Sequence, residues 1–332
     1  MKPTILKAWP EIEEFAPLLT LPSAASKPTP FFNIDFTECV SVNSCGLTAF
    51  MLKIMQYAKR FKEGTSWIPI GLDNDSVLQK DNIVNLNFFA PIISSLHDPI
   101  FRAEYISSNK NPIISEVFGA TRLSFPLVYI NFTGGDDRRE IGTNLVKQIF
   151  FKRLEEYVQM YKINNMQFLV ILIELVKNTA DHTESDAILG FDLFKTNDSI
   201  KINFLYGDLG VGIMRHIRRY LKQKDDPRWE NISFADAYYI ACNKGWTSKP
   251  NNKKNLGMGM STVIEFAKTM NMRLSVFDAS SRGLLSDFDV INTPDIGFQI
   301  DSPSHRRIRR KFFNYSIRNP FCYFGTVEAG KR

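Results

Sequence analysis

Residues 168–178 read FLVILIELVKN, an almost wholly apolar run that ends in polar residues and continues as TADH. On a helix, Glu174 and Asn178 share a face, and Asp181 and His182 lie one turn further on as candidates for a supporting role. A carboxylate and a carboxamide on one face supply a base for a hydroxyl or water and a neutral oxygen ligand for magnesium. The alternative is a helix that simply reaches the surface, with its polar side chains in bulk water.

A second polar stretch follows a predicted strand. IKINFLY (200–206) runs into GDLGVG, with Asp208 at the strand end and glycines at Gly210 and Gly212 that permit a tight turn and close backbone approach. A carboxylate at a strand end accepts hydrogen bonds from an exocyclic amine such as that of adenine. The alternative is an ordinary turn, because Asp and Gly favour turns for local reasons.

A third stretch, NLGMGMSTVIEFAKTM (255–270), places Gly257 and Gly259 before a helix predicted to start near Ser261, which is a good N-cap residue. Backbone amides at a helix N-terminus, approached through glycines, form an anion site suited to a polyphosphate. The alternative is a loop that only caps a helix. The spacing matches neither GxxxxGK[ST] nor a complete GxGxxG fingerprint.

The segment before these glycines is polar. Residues 245–256 contain WTSKPNNKKN, and this composition suits a lid that closes over a bound nucleotide. Lys249 in this segment is a weak candidate for a contact with the terminal phosphate, because lysines are common in loops.

Taken together and in this order, ELVKN, DLGVG and GMGMS resemble the motifs of GHKL, or Bergerat-fold, ATPases over roughly residues 135–332. Within this family, the chain most resembles the anti-sigma-factor type of serine kinase and ATPase. The resemblance implies an α/β sandwich whose mixed, mostly antiparallel sheet is covered by helices on one face. FGTVEAG (324–330) resembles the glycine-threonine strand that ends such domains.

The resemblance also implies roles for individual residues. A glutamate at the position of Glu174 is the general base in the ATP-hydrolysing members and in the anti-sigma serine kinases. The family holds Mg²⁺ at the position of Asn178 and binds the adenine amine at that of Asp208, so ATP and Mg²⁺ are the expected cofactors. The expected cofactor-binding set is Asn178, Asp208, Gly210, Gly212, Gly257, Gly259, Ser261 and Thr326.

The first third of the chain has a fainter similarity. NIDFTECVSVNSCGLTAFMLKI (33–54) resembles the strand, loop and helix of STAS domains, in which a DSSGL-like segment opens the helix. This chain reads NSCGL, so Ser44 takes a position that is phosphorylated in some of those domains, and Asn43 replaces the acid. The alternative for Ser44 is a helix-entry residue whose hydroxyl caps a backbone amide. The expected domains are a STAS-like regulatory domain at 1–133 and a GHKL-type ATP-binding domain at 134–332.

The periodicity of the apolar residues predicts an α+β protein. Predicted strands cover 31–36, 67–72, 125–132, 187–194, 200–208, 272–280, 288–293 and 322–330. Predicted helices cover 45–61, 144–161, 165–182, 215–223 and 234–245, with a last helix from about 261.

The composition of the 332 residues suits two soluble globular domains, with 44% hydrophobic and 23% charged residues. Of the net charge of +6, five charges come from SHRRIRRKFF (304–313), which is interpreted as a solvated loop or strand edge rather than a nucleic-acid site. The four cysteines show neither a CxxC pair nor zinc spacing, and the sequence shows no signal peptide or membrane span. A cytoplasmic location is therefore expected.

The sequence thus predicts a magnesium-dependent ATP-binding protein that acts as an ATPase or serine protein kinase in a regulatory switch. Two alternatives stay open: an ATP-binding module without turnover, and a histidine kinase that uses His97. Pro91 and Pro99 flank His97 and argue against the continuous helix such a phosphoacceptor needs. Expected partners are ATP and a regulatory protein, with a homodimer as an open alternative; no membrane is expected, and nucleic acid is disfavoured.

Overall fold

The structure, a computed structural model, describes part of the chain. The described residues are 4–7, 11–12, 31–37, 39, 41–60, 66–70, 86, 112–117, 119–130, 138–182, 185–210, 212–243, 259–278, 283–285 and 321–330. Several predictions fall outside these ranges: the phosphoacceptor candidate His97, the lid with Lys249, the glycine Gly257, the strand at 288–293 and the basic run at 304–313.

The chain divides into two compact units. The first unit joins residues 1–129 with residues 188–207, and the second unit joins residues 130–187 with residues 208–332. The first unit therefore includes a segment from the half of the sequence that resembles GHKL ATPases. The division into modules at residue 133 stays a prediction.

The first unit contains one described helix and most of the described strands. These elements are β1 (Thr4–Lys7), β2 (Glu11–Ile12), β3 (Phe31–Asp35), β4 (Ser41–Val42), α1 (Ser44–Arg60), β5 (Ser66–Ile70), β6 (Ile113–Val117), β7 (Ala120–Ser124), β8 (Val128–Ile130), β9 (Ala187–Lys195) and β10 (Ser199–Asp208). Three terminal strand residues belong to the second unit: the last residue of β8, the first residue of β9 and the last residue of β10.

Strands β1, β3 and β5 form a parallel sheet with β3 in the middle. Phe32 of β3 lies opposite Thr4 on one side and Trp67 on the other. Parallel neighbours need a crossover connection, and α1 lies between β3 and β5 in sequence. The predicted order of strand, helix and strand in this part of the chain is confirmed.

A second group of strands in the first unit is antiparallel. β6 pairs with β7, β7 pairs with β9, and β10 is the neighbour of β9. The sequence reasoning missed the β6–β7 hairpin. Gly119 lies at its turn with φ +79°, so a glycine at this position was the available sequence signal. The strand predicted over 125–132 begins later, at Val128, because Pro126 has no amide to donate to a ladder, and residues 131–132 lie outside the described part of the chain.

The N-terminus of α1 is held by a carboxylate that is distant in sequence. Asp192 of β9 is 1% exposed and accepts hydrogen bonds from the backbone amides of Ser44 (2.9 Å) and Cys45 (2.8 Å). The next amide, that of Gly46, donates to Oδ1 of Asn43 at 2.6 Å. The first amides of the helix, which lack partners within a helix, are thereby satisfied.

Ser44 is part of this buried arrangement. Its side chain is 0% exposed, and its Oγ accepts a hydrogen bond from the backbone amide of Phe191 at 3.0 Å. The hydroxyl therefore binds a strand rather than capping its own helix, and Asn43 provides the cap instead. A kinase has no access to Ser44 in this conformation.

The second unit contains the remaining described helices and three strands. Its elements are α2 (Arg138–Ile149), a π-helical turn (Phe150–Leu154), α3 (Glu155–Met160), α4 (Asn165–His182), α5 (Gly212–Gln223), a 3₁₀ turn (Pro227–Trp229), α6 (Phe234–Cys242), α7 (Gly259–Thr269), β11 (Arg273–Asp278), β12 (Gly283–Leu285) and β13 (Phe321–Gly330). β11 pairs antiparallel with both β12 and β13. The single helix predicted over 144–161 begins earlier, at Arg138, and is interrupted by the π-helical turn.

The helix α4 contains the opening sequence stretch and has the predicted bounds. Oδ1 of Asn164 accepts a hydrogen bond from the amide of Gln167 at 3.1 Å, which caps the helix start. α4 packs against α2 and α7. Its buried residues are Phe168, Leu169, Ile171, Leu172, Ile173, Leu175, Val176 and Thr179. Glu174 and Asn178 are half-buried in this packed helix rather than placed in bulk water.

The fold class is mixed α+β with a mostly antiparallel sheet, as predicted. Helices α5 and α6 share an apolar core that includes Met214, Ile217 and Leu221. All four cysteines are buried, and none of them forms a disulfide bond. Within the described part of the chain, the helices lack the length and apolar character required to cross a membrane.

Replacing Asp192 with alanine should destabilise the first unit. The change removes the acceptor for the Ser44 and Cys45 amides and for Oγ of Ser124, which donates to Oδ1 at 2.6 Å. We expect a loss of about 2–4 kcal/mol in the free energy of unfolding, measured by urea denaturation. Asp198→Ala, in the exposed turn of the same hairpin, is the control and should change little. Equal losses in the two variants would contradict the capping role.

Candidate functional site

The candidate site lies in the second unit along the end of α4, which contacts the start of α7 through Glu174 and Asn178 and the end of β10 through Thr179. Gly259, the first residue of α7, is in close contact with α4. A Cβ atom added to Gly259 would lie 2.8 Å from Oε2 of Glu174 and 3.3 Å from Oδ1 of Asn178. The side-chain oxygens of both predicted residues therefore border the N-terminus of α7, a position that attracts anions in helices.

The carboxylate of Glu174 has a different neighbour at each oxygen. Oε1 accepts a hydrogen bond from Nζ of Lys177 at 2.7 Å. The two residues form an ion pair between positions about one helical turn apart. Oε2 faces the backbone of Gly259. The Glu174 side chain is 18% exposed, so solvent and small ligands retain access to it.

The carboxamide of Asn178 is oriented by a contact with α7. Its Nδ2 donates a hydrogen bond to the sulfur of Met260 at 3.1 Å. Because a thioether only accepts hydrogen bonds, the nitrogen faces the sulfur, and Oδ1 is the nearer carboxamide atom to an added Cβ at Gly259, at 3.3 Å against 3.8 Å for Nδ2. This is the orientation in which an asparagine oxygen can serve as a metal ligand.

Asp208, at the end of β10, is fixed next to these residues. Oγ1 of Thr179, which follows Asn178 in the chain, donates to Oδ2 of Asp208 at 3.0 Å. The amide of Gly210 donates to Oδ1 at 2.7 Å. Asp208 is 4% exposed. A carboxylate oxygen can accept more than one hydrogen bond, which is the chemistry that recognition of an exocyclic amine requires.

Gly212 begins α5 in a backbone conformation that favours glycine. Its φ is +71°, and an added Cβ atom would lie 2.9 Å from Oδ2 of Asp278, the buried last residue of β11. The glycine motif after Asp208 is therefore packed directly against a second carboxylate. The sequence reasoning missed Asp278, because the strand was predicted to continue to residue 280 and therefore did not place this acid at a strand end.

The thiol of Cys322, on β13, lies in the electrostatic field of both Asp208 and Asp278. Burial, together with the charges of Asp208 and Asp278, raises the pKa of the Cys322 thiol. Thr326, the residue of this strand predicted to bind nucleotide, lies opposite Arg273. It is four residues after Cys322, which corresponds to roughly 13 Å along an extended strand. Contact between Thr326 and a nucleotide stays a prediction.

Other predicted residues have different positions. α7 begins at Gly259, so Ser261 is the third residue of the helix rather than its N-cap, and it is buried. The carbonyl of His182, the last residue of α4, accepts a hydrogen bond from Nε2 of His216 at 3.2 Å. This contact caps the end of α4. Asp181, which precedes it, is half-buried.

The residues present fit a magnesium ion that arrives with a nucleotide. Among the described residues, no group of three or more His, Cys, Asp and Glu side chains is arranged to hold a metal ion. Magnesium is commonly bound through one or two protein oxygens together with substrate phosphates and water. Oδ1 of Asn178, held toward the start of α7, provides one such oxygen.

Several residues of the site carried no functional prediction. Thr179 and Met260 are neighbours of predicted residues, so their proximity was a usable signal. Cys322 and Tyr323 reach the site through the pairing of β13 with β11, which is long-range and leaves no local pattern.

The chain matches no protein-family model, no curated protein and no solved structure. The functional assignment therefore depends on the sequence motifs and the contacts described above.

Replacing Gly212 with alanine should destabilise the second unit by more than backbone strain alone. Gly119 provides the control, because its φ is +79° but no atom of the described residues lies within 4 Å of an added Cβ atom. We expect Gly119→Ala to cost about 1 kcal/mol and Gly212→Ala clearly more, since the latter also displaces Asp278. Urea denaturation measures both. The proposed packing is wrong if the two losses are equal.

Proposed function

We propose that the chain is a magnesium-dependent ATP-binding protein of the GHKL type. In this proposal a STAS-like regulatory module precedes the ATP-binding module, and the protein acts as an ATPase or serine protein kinase in a regulatory switch. The observation that carries the proposal is the convergence of Oε2 of Glu174 and Oδ1 of Asn178 on the first residue of α7. A base, a metal ligand and an anion-binding helix terminus are thereby adjacent.

The adenine end of the nucleotide is assigned to Asp208. Its two oxygens are fixed by Thr179 and by the amide of Gly210, so the carboxylate is oriented before a ligand arrives. A buried carboxylate that is already oriented accepts a hydrogen bond from an exocyclic amine with little further ordering cost. The Asp208 carboxylate disfavours a nucleobase that presents an oxygen in place of the exocyclic amine.

The phosphate end is assigned to the start of α7 and to Asn178. The amides of the first turn of α7 attract the phosphates, and glycine at residue 259 lets them approach the backbone. Asn178 would hold Mg²⁺ through Oδ1. The ion, when bound, supplies positive charge that neutralises the phosphates during transfer.

Glu174 is assigned the role of general base. Lys177 holds Oε1, which leaves Oε2 to face the phosphate region beside Gly259. A carboxylate held in this way accepts the proton of an attacking water or serine hydroxyl. Because Ser44 is 0% exposed, the serine-kinase form of the proposal requires a hydroxyl from a partner protein.

One contact favours the second candidate, a module that binds ATP without turnover. The ammonium group of Lys177 lies 2.7 Å from Oε1 of Glu174 and competes with an attacking water for the carboxylate. If this ion pair persists when the nucleotide is bound, ATP sets the conformation of the protein and is not consumed. The histidine-kinase alternative requires His97, which lies outside the described residues.

The two carboxylates should have separable effects. Glu174→Gln should bind ATP within about two-fold of the wild type but lose turnover by about 100-fold or more, because only proton acceptance is removed. Asp208→Asn should weaken binding by about ten-fold or more, because an acceptor becomes a donor. Calorimetric titration with and without Mg²⁺ measures binding, and phosphate release measures turnover. Glu156→Gln, on the exposed side of α3, is the control.

Each result has a different meaning. An unchanged rate in Glu174→Gln would remove Glu174 from the role of base. A wild-type protein that is folded but ignores millimolar ATP would refute the proposed function. Binding without phosphate release or transfer would establish the module without turnover. Labelled nucleotide distinguishes the kinases, since phosphoserine on a partner is stable in acid and phosphohistidine is not.

A further inference from the structure

We propose that Met260 is a positioning residue for the metal ligand. Its sulfur fixes the carboxamide of Asn178 so that the oxygen, rather than the amide nitrogen, faces the nucleotide-bound ion. The inference rests on the proposed function and concerns the magnesium dependence of the same site. It starts from two hydrogen bonds to one sulfur atom: Nδ2 of Asn178 donates at 3.1 Å and the hydroxyl of Tyr323 at 3.4 Å.

The Asn178 carboxamide needs such a contact because its two ends are similar in size and opposite in character. Rotation by 180° about the last side-chain bond would exchange Oδ1 and Nδ2. An amide nitrogen turned toward a cation presents hydrogen atoms and repels it. A neighbour that only accepts hydrogen bonds selects one orientation, and a thioether has this property.

The position of the Met260 sulfur is itself determined by the sheet. Tyr323 lies on β13, opposite Val276 of β11, and its hydroxyl reaches the sulfur. The ring of Tyr323 packs against the ring of Tyr238 on α6, with the ring centroids 6.4 Å apart. A methionine side chain is flexible on its own, so this second donor is what makes it a defined reference point.

The role predicted for Met260 is specific to the metal. Leucine at residue 260 would preserve the volume of the side chain but remove the acceptor, leaving Asn178 free to rotate. Glutamine would keep an unbranched side chain with an acceptor oxygen. The affinity for ATP without metal does not depend on the orientation of Asn178, whereas the gain in affinity from Mg²⁺ does.

The experiment compares Met260→Leu and Met260→Gln with the wild type in the full chain. ATP binding is titrated with Mg²⁺ and with EDTA. We expect Met260→Leu to bind ATP in EDTA within about two-fold of the wild type and to lose about five-fold or more of the gain from Mg²⁺, as for one lost hydrogen bond. Met260→Gln should retain most of that gain. Met272→Leu, at a buried methionine outside the contact, is the packing control.

A second readout needs neither ATP nor metal. In ¹H–¹⁵N spectra of the ligand-free protein, the side-chain amide signals of Asn178 should move in Met260→Leu and stay unmoved in Met272→Leu. Unmoved Asn178 signals in Met260→Leu would overturn the inference, as would an undiminished Mg²⁺ effect in that variant or equal losses in the leucine and glutamine variants. If the wild type itself binds no ATP, the proposed function fails, and the metal role of Met260 fails with it.

Discussion

The candidate site depends on the absence of a side chain at residue 259. Because a Cβ atom at that position would lie 2.8 Å from Oε2 of Glu174 and 3.3 Å from Oδ1 of Asn178, any larger residue would force these two side chains to move. This close approach brings Asn178 within reach of the Met260 sulfur and places Oε2 of Glu174 and Oδ1 of Asn178 at a helix terminus that attracts anions. Gly259, predicted from the sequence as part of a phosphate-binding turn, thus also lets α7 approach the polar side chains of α4.

The sequence predicted the elements that have strong local patterns. α4 is long and mostly apolar, and its predicted bounds are confirmed. The α+β class and the β9–β10 pair also followed from periodicity. The β6–β7 hairpin was missed because its strands are short, and the π-helical turn at Phe150–Leu154 was missed because interruptions of this kind leave the helical pattern almost unchanged.

Long-range contacts mark the limit of what could be predicted. Asp192 satisfies the first amides of α1 from 148 residues away, a connection that no local motif encodes. It supplies an acid at a helix start where the sequence NSCGL has none, and it explains why Ser44 is buried. In the candidate site, Glu174, Asn178 and Asp208 were identified from residue type and spacing, whereas the places of Asp278 and Cys322 became visible only through contacts between separate elements.

The central claim is that α4, the end of β10 and the start of α7 form one site for a metal-bound adenine nucleotide. Hydrogen–deuterium exchange of the full chain, with and without MgATP, tests it most directly. The account predicts that peptides covering 174–182, 205–213 and 259–269 gain protection together, while the β6–β7 hairpin of the first unit is unchanged. Protection confined to one of these stretches, or none at millimolar MgATP, would contradict it.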